Sequence, residues 1–302
     1  MYDFKKYFSQ RCDEALRNIL REKITGSFFF VNTEAIGFSV LKRPVECFSI
    51  GNSPNKVLLC GGFHGMEWIT CHLLYMFIIN VSRSIINRKP LCGENLWEYF
   101  RNRSLAVVPC VNPDGVEISI HGSRSAGMLS DFVERISGGD TLHWQSNAMG
   151  VDINHNFDAD WKTVKKRELE NGIIFPSKTR YGGEFPESEH ESRCIADFCR
   201  SNTIISATAF HSQGEEIYWS YGDNTPPESL EIAEKMSKLS GYSLSFPEEM
   251  AVGGGFKDWI IQKLHIPSFT VEVGKGENPL DISQLDGIYN KLEKMLVYLI
   301  SA

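Results

Sequence analysis

The sequence predicts an α/β chain, an α/β/α sandwich in which helices cover both faces of a mixed sheet. Short apolar runs alternate with longer segments of helical periodicity along most of the length. The runs at residues 56–60, 104–111 and 204–209 are rich in Val, Leu, Ile and Ala, as strands buried on both faces are, and 267–273 reads as a further strand. Of the 302 residues, 42% are apolar, enough for one large core, and no internal repeat, low-complexity tract or linker divides them.

The elements follow in order. Residues 3–22 place Phe4, Tyr7, Phe8, Ala15, Leu16, Ile19 and Leu20 at helical spacings, which predicts an N-terminal helical extension (1–33) packed on a single domain (34–302). Residues 45–51 and 56–60 predict a strand pair joined by Asn52-Ser53-Pro54-Asn55. Residues 68–82 predict a helix. The strand at 104–111 is expected to end in a turn at Asn112-Pro113-Asp114-Gly115. The polar, glycine-bearing stretch 119–147 predicts mostly loop with a short helix. Residues 188–202 predict a helix with Ser188 as its N-cap, and 226–241 another, closed by Gly241. Gly253-Gly254-Gly255 breaks the chain before a helix at 256–264; a strand at 267–273 and a helix at 283–299 complete it.

Composition narrows the function. A net charge of −7 with scattered cations argues against a general nucleic-acid binder. Arg101-Asn102-Arg103 and Lys165-Lys166-Arg167 read as solvated faces. The first residues carry Lys5, Lys6, Arg11, Asp13, Glu14 and Arg17 with no apolar h-region, so they do not read as a secretory signal. No run approaches the apolar length of a membrane span. The expectation is therefore a cytoplasmic protein with no membrane partner and no nucleic-acid partner. The eight cysteines form no CxxC pair and read as reduced thiols, several of them buried.

The chemistry is carried by a divided set of residues. Gly61-Gly62-Phe63-His64-Gly65-Met66-Glu67-Trp68 follows one apolar run, and Phe210-His211-Ser212-Gln213-Gly214 ends another. Two imidazoles and a carboxylate at strand ends make a three-ligand zinc site with a fourth position open, the arrangement a catalytic zinc needs. An HxxE pair alone is a weak signal. It is strengthened by Glu272, a carboxylate inside the buried strand pattern at 268–274, since burying an unpaired carboxylate costs several kcal/mol. Asp152 and Asn154 alternate with apolar residues in 150–157.

Taken in order, His64-Gly65-Met66-Glu67-Trp68, Asn112-Pro113-Asp114-Gly115, the stretch 150–157, His211-Ser212 and Phe269-Thr270-Val271-Glu272 resemble the zinc carboxypeptidase superfamily, from about residue 34 to the C-terminus. Within it, 210–219, 179–183 and 273–280 resemble the bacterial γ-D-glutamyl-diaminopimelate peptidases. The resemblance implies a mainly eight-stranded mixed sheet and one zinc per chain held by His64, Glu67 and His211. It also implies Glu272 as the catalytic carboxylate and a small peptide or muropeptide as substrate. Asp152 reads as the acceptor that fixes the His64 tautomer, or as a turn-capping aspartate.

The departures are informative. Where the pancreatic-type enzymes carry three substrate-facing arginines, this chain has His155 after Asn154, Gln145 after Trp144, and Met66; the lid tyrosine falls near Met250. These losses argue against ordinary C-terminal trimming. Asn154, His155 and Gln145 remain as hydrogen-bonding substrate contacts, with Arg180 and Arg124 as candidate cations. Lys257, just after the glycine run, either selects a substrate carboxylate or is an exposed first-turn residue. Two rival readings stand beside the muropeptide peptidase: a carboxypeptidase or amidase removing acidic residues, and a non-catalytic zinc-binding protein on the same scaffold.

Overall fold

The computed structural model describes residues 3–302; the first two residues of the N-terminal extension lie outside it. After a 3-10 turn at Lys5–Tyr7, α1 (Glu14–Ser27) begins where the Asp13 side chain accepts the Leu16 N–H, satisfying a first-turn donor. The helix expected over 3–22 is thus broken before Asp13 and runs on past 22. β1 (Val31–Phe38) and β2 (Pro44–Ile50) form an antiparallel hairpin. Then come β3 (Asn55–Cys60), α2 (Ile69–Asn87), the single turn α3 (Leu96–Tyr99), β4 (Ser104–Val108) and α4 (Pro113–His121). The middle of the chain holds α5 (Ser130–Ser137), α6 (Trp161–Glu170) and α7 (His190–Ser201). The last third holds β5 (Thr203–His211), β6 (Glu216–Tyr218), α8 (Ser229–Ser240), β7 (Ser243–Leu244), α9 (Phe256–Trp259), β8 (Ser268–Glu272) and α10 (Leu285–Ser301).

The strands form one eight-stranded sheet in the order β1-β2-β4-β3-β5-β8-β6-β7. Its centre, β4-β3-β5-β8, is parallel, while β2 and β6 join it antiparallel. Alternation along the central strands sends side chains into two cores. Val57, Leu59, Leu105 and Val107 meet α1, α2, α8 and α10 on one face; Leu58, Cys60, Ala106 and Val108 meet α7 and α9 on the other. This is the expected sandwich.

Several local expectations are corrected. β2 and β3 do not pair: β4 lies between them, because β3 is a doubly buried strand with parallel neighbours on both edges. Asn112-Pro113-Asp114-Gly115 starts α4 instead of closing a turn. The Asn112 side chain accepts the Gly115 N–H at 2.9 Å, and Pro113 occupies a first-turn position that needs no N–H. Ser188 does not cap α7; its hydroxyl donates to Glu189 Oε1 and accepts from Asn156 Nδ2. After α9 the expected helix continues as a π-helical turn, Ile260–Leu264.

The N-terminal extension is no appendage. A boundary at 33/34 would cut β1, and Phe4, Tyr7, Leu16, Leu20, Ile24 and Phe28 all belong to the larger core. Arg17 forms a buried pair with Glu117 of α4 at 3.1 Å, and His72 of α2 donates to the Gln10 carbonyl at 2.7 Å. One helical stretch, Gly65–Asn87, does reach the length and apolarity of a membrane span, contrary to the sequence reading. It is mostly buried, and α2 packs in the larger core.

Candidate metal centre and cleft

The parallel strands deliver the functional groups to one place. Ligands of open α/β sheets bind at the carboxyl ends of the strands, and there His64 follows β3, His211 ends β5 and Glu272 ends β8. His211 and Glu272 are register partners.

The His64–Glu67 turn is set by backbone contacts. Gly65 N–H donates to the Gln145 carbonyl at 3.1 Å and Met66 N–H to the Trp144 carbonyl at 2.9 Å. Gly65 is required because a Cβ there would lie 2.2 Å from the Gly115 carbonyl oxygen. Asn112, fully buried, binds this assembly together: its NH2 donates to the carbonyls of Phe63 at 3.0 Å and Ser146 at 3.1 Å, while its oxygen holds α4. The sequence placed Asn112 in a turn and in a motif resembling the zinc carboxypeptidase superfamily, but not as the clamp on the His64 turn. The available signal was an amide directly before Pro at a helix start.

His64 Nδ1 lies 2.9 Å from Glu67 Oε1, His211 Nδ1 lies 3.1 Å from Glu67 Oε2, and the two Nδ1 atoms are 3.3 Å apart. On its other side, His64 Nε2 is 3.2 Å from Asp152 Oδ1. An Nε2–H donating to Asp152 leaves the His64 Nδ1 lone pair facing a carboxylate and a second imidazole. Lone pairs converging without enough protons between them fit a cation, and two imidazoles with one carboxylate are a zinc donor set. Burial works against the Glu67 charge, but His64 and His211 outweigh it and lower its pKa to about 2. Burial likewise opposes ionisation of Asp152, yet His64 and His155 hold it well below the usual carboxylate range.

Asp152 lies against both His64 and the start of a short turn. Its Oδ1 also accepts the Asn154 N–H, capping a short turn, and its Oδ2 accepts the Arg180 N–H at 3.0 Å. Burial, then the neighbouring Glu67 charge, raise the pKa of Glu272 well above that of an ordinary carboxyl.

These groups open onto a cleft of about 160 Å³ lined by His64, Gln145, Asp152, Asn154, His155, Arg180, His211, Glu248, Met250, Ala251 and Glu272. Gln145 Oε1 is engaged by the Thr179 hydroxyl and Asn154 Oδ1 by the Phe256 N–H, which leaves both NH2 groups as the free donors. Glu248 and Ala251 were not anticipated; they come with Met250 from an irregular segment whose sequence carries no periodic signal. Lys257 is corrected. It is buried, it is absent from the cleft lining, and its ammonium is held by Asp258 and by the Ser220 carbonyl. A cation already neutralised in this way has no charge left to select a substrate. Arg124 is likewise absent from the lining.

Comparison with known proteins agrees with this geometry. Residues 21–294 match the zinc carboxypeptidase family model. The chain is 34% identical over 278 residues to a γ-D-glutamyl-L-diamino acid endopeptidase of Lysinibacillus sphaericus, covering 89% of this chain and 67% of that protein. Among solved structures, bovine thrombin-activatable fibrinolysis inhibitor superposes with a TM-score of 0.75 at 20% identity over 98% of both chains. The murein-tripeptide amidase of Escherichia coli O157 does so with a TM-score of 0.54 at 20% identity, over 90% of this chain and 92% of that one. By sequence, by sheet topology and by its zinc donor set, the chain belongs to the zinc carboxypeptidase family and is a metallopeptidase.

Proposed function

We propose that the chain hydrolyses peptidoglycan-derived peptides at the amide joining the γ-carboxyl of D-glutamate to a diamino acid. The observation that carries this reading is the 34% identity to the Lysinibacillus endopeptidase across 89% of the chain. The cleft supports it: Gln145 and His155, which stand where the pancreatic-type enzymes carry arginines, both line it, so the substrate is expected to differ from a plain C-terminal peptide.

A zinc ion held by His64, Glu67 and His211 supplies an acidified water and an electrophile for the scissile carbonyl. Glu272, at the cleft wall beside His211, takes the proton from the attacking water and returns it to the leaving amine. The amide donors of Gln145 and Asn154 hydrogen-bond the substrate's carbonyl and carboxylate oxygens. The test is incubation of zinc-loaded protein with a γ-D-glutamyl–diamino acid peptide and with its α-linked isomer, products identified by mass. Release of the diamino acid from the γ-linked peptide alone is expected. Cleavage confined to the α-linked isomer overturns the reading in favour of ordinary carboxypeptidase action, and zinc binding without cleavage of either leaves a binding protein.

A further inference from the structure

The two histidines of the metal centre are held in different ways. His64 has a tether on its outer nitrogen, since Nε2 lies 3.2 Å from Asp152 Oδ1. His211 has none. Its Nε2 is buried and, among the described residues, has no hydrogen-bond partner. An imidazole that binds zinc through Nδ1 keeps its proton on Nε2, and in most metal sites that N–H donates to an acceptor that fixes the ring. The plane of His211 must be set by something else. Phe63 lies flat against it. The ring centroids are 5.3 Å apart and the planes are 23° from parallel, within the range of stacked aromatic pairs. Phe63 is fully buried, and Phe256 backs it at 5.4 Å. Phe256 in turn meets Phe157 at 5.5 Å and Trp259 at 6.4 Å, so the Phe63 ring has close-packed neighbours and little room to move. Its main chain is held as well, by the Asn112 amide on the Phe63 carbonyl.

We propose that Phe63 is a positioning residue for His211, fixing by packing the ring plane that Asp152 fixes for His64 by a hydrogen bond. Turning the His211 imidazole about its Cβ–Cγ bond would drive the ring edge into the face of Phe63. That face keeps the Nδ1 lone pair directed at the place shared with Glu67 and His64. Phe63 is also the residue before His64. One residue therefore adjoins one donor along the chain and stacks on the other across the sheet, which ties the two halves of the divided site together. The two devices differ in chemistry. A carboxylate on the far nitrogen strengthens an imidazole as a donor, whereas a benzene ring orients it and adds no charge. His211 is then the donor whose hold on zinc depends on the packing of the smaller core, to which Phe63, Phe157, Phe256 and Trp259 all belong. The inference rests on the zinc donor set and not on the choice of substrate.

The test has two arms. In the first, wild-type protein labelled with 13C in its histidine rings is stripped of metal with a chelator. Relaxation of the His211 ring should give an order parameter of about 0.85, as for a rigid backbone, with no ion present to hold it. A value below about 0.6 overturns the proposal, and this needs no variant to fold. In the second arm, zinc release to a chelator is timed for Phe63→Leu and for Phe48→Leu, which removes an equally buried ring from the larger core. Both variants should have lower thermal midpoints. Phe63→Leu alone should release zinc about 10- to 100-fold faster and shift the visible absorption of the cobalt-substituted protein, which reports the geometry of the donors. Phe48→Leu should leave release and spectrum near those of the wild-type protein. Wild-type release and an unshifted cobalt spectrum in Phe63→Leu overturn the proposal. So do equal changes in the two variants. If the wild-type protein takes up no zinc, the donor set itself fails, while the first arm still decides whether Phe63 holds the His211 ring.

Discussion

His211 and Glu272 meet as register partners on adjacent strands, so one metal-binding group and the proposed proton acceptor are fixed by the same ladder. Replacing Glu272 by Gln keeps the shape and removes the base. Zinc content should stay at one per chain by metal analysis, while turnover falls by roughly two to four orders of magnitude; near-normal turnover would move the base elsewhere. Lys257 belongs to a different class. Lys257→Met leaves Asp258 buried without its cation, a loss on the order of 3–5 kcal/mol, although Asp258 keeps the Gly253 N–H. A lower thermal midpoint is expected, with unaltered preference between diamino acids bearing and lacking a distal carboxylate. A selective loss on the acidic substrate would restore Lys257 to the specificity pocket. The ligands His64, Glu67 and His211 were legible in the sequence because each sits in a short, local motif. The neutralisation of Lys257 was not, because the Ser220 carbonyl that completes it arrives from a distant part of the chain.

At the scale of elements, long strands and helices were legible wherever apolar residues ran continuously or at helical spacing. β6 and β7 were missed because three- and two-residue strands carry no periodicity. α6 was missed because only Val164 and Glu168 of its ten residues are buried, and one of those is a carboxylate. β2 and β3 were mispaired because nearness in sequence says nothing of a third strand, β4, returning between them. α7 carries a second buried acid, Glu191, whose oxygens accept from the Val40 N–H and from Asn147 Nδ2. Burial, then the neighbouring Asp114, raise its pKa from 4.5 to about 8. The folded state therefore binds this proton more tightly than the unfolded chain. Its contribution to stability is complete below about pH 4.5 and is lost as pH rises through about 8. Glu191→Gln should flatten that decline, so that thermal midpoints at pH 5 and pH 8 lie closer together than in the wild-type protein. Parallel pH profiles for the two proteins would show that Glu191 is ionised throughout.

At the scale of the molecule, the N-terminal segment is structural material of the main core. Removing residues 1–22 would strip Phe4, Tyr7, Leu16 and Leu20 from that core and leave Glu117 without Arg17. The truncated chain should be insoluble or should unfold without a cooperative transition, read by circular dichroism on heating. A sharp transition near the wild-type midpoint would return this segment to the status of an appendage. The sandwich itself was legible because doubly buried strands leave an unmistakable run of apolar residues. The integration of residues 3–28 was not, since an amphipathic helix shows that it has a partner but not which one.

The two histidines that converge on the metal position are 147 residues apart, and no local loop brings them together. Contacts of that separation form only after most of the chain has been ordered. A zinc ion can nucleate a small finger whose ligands are close in sequence; here His64 and Glu67 share one turn, but the third donor, His211, joins them only when β5 lies beside β3. The complete three-donor site is therefore expected to form late in folding. A chelated protein is then expected to keep a cooperative thermal transition, read by circular dichroism on heating, so that the supply of zinc would govern activity and not folding.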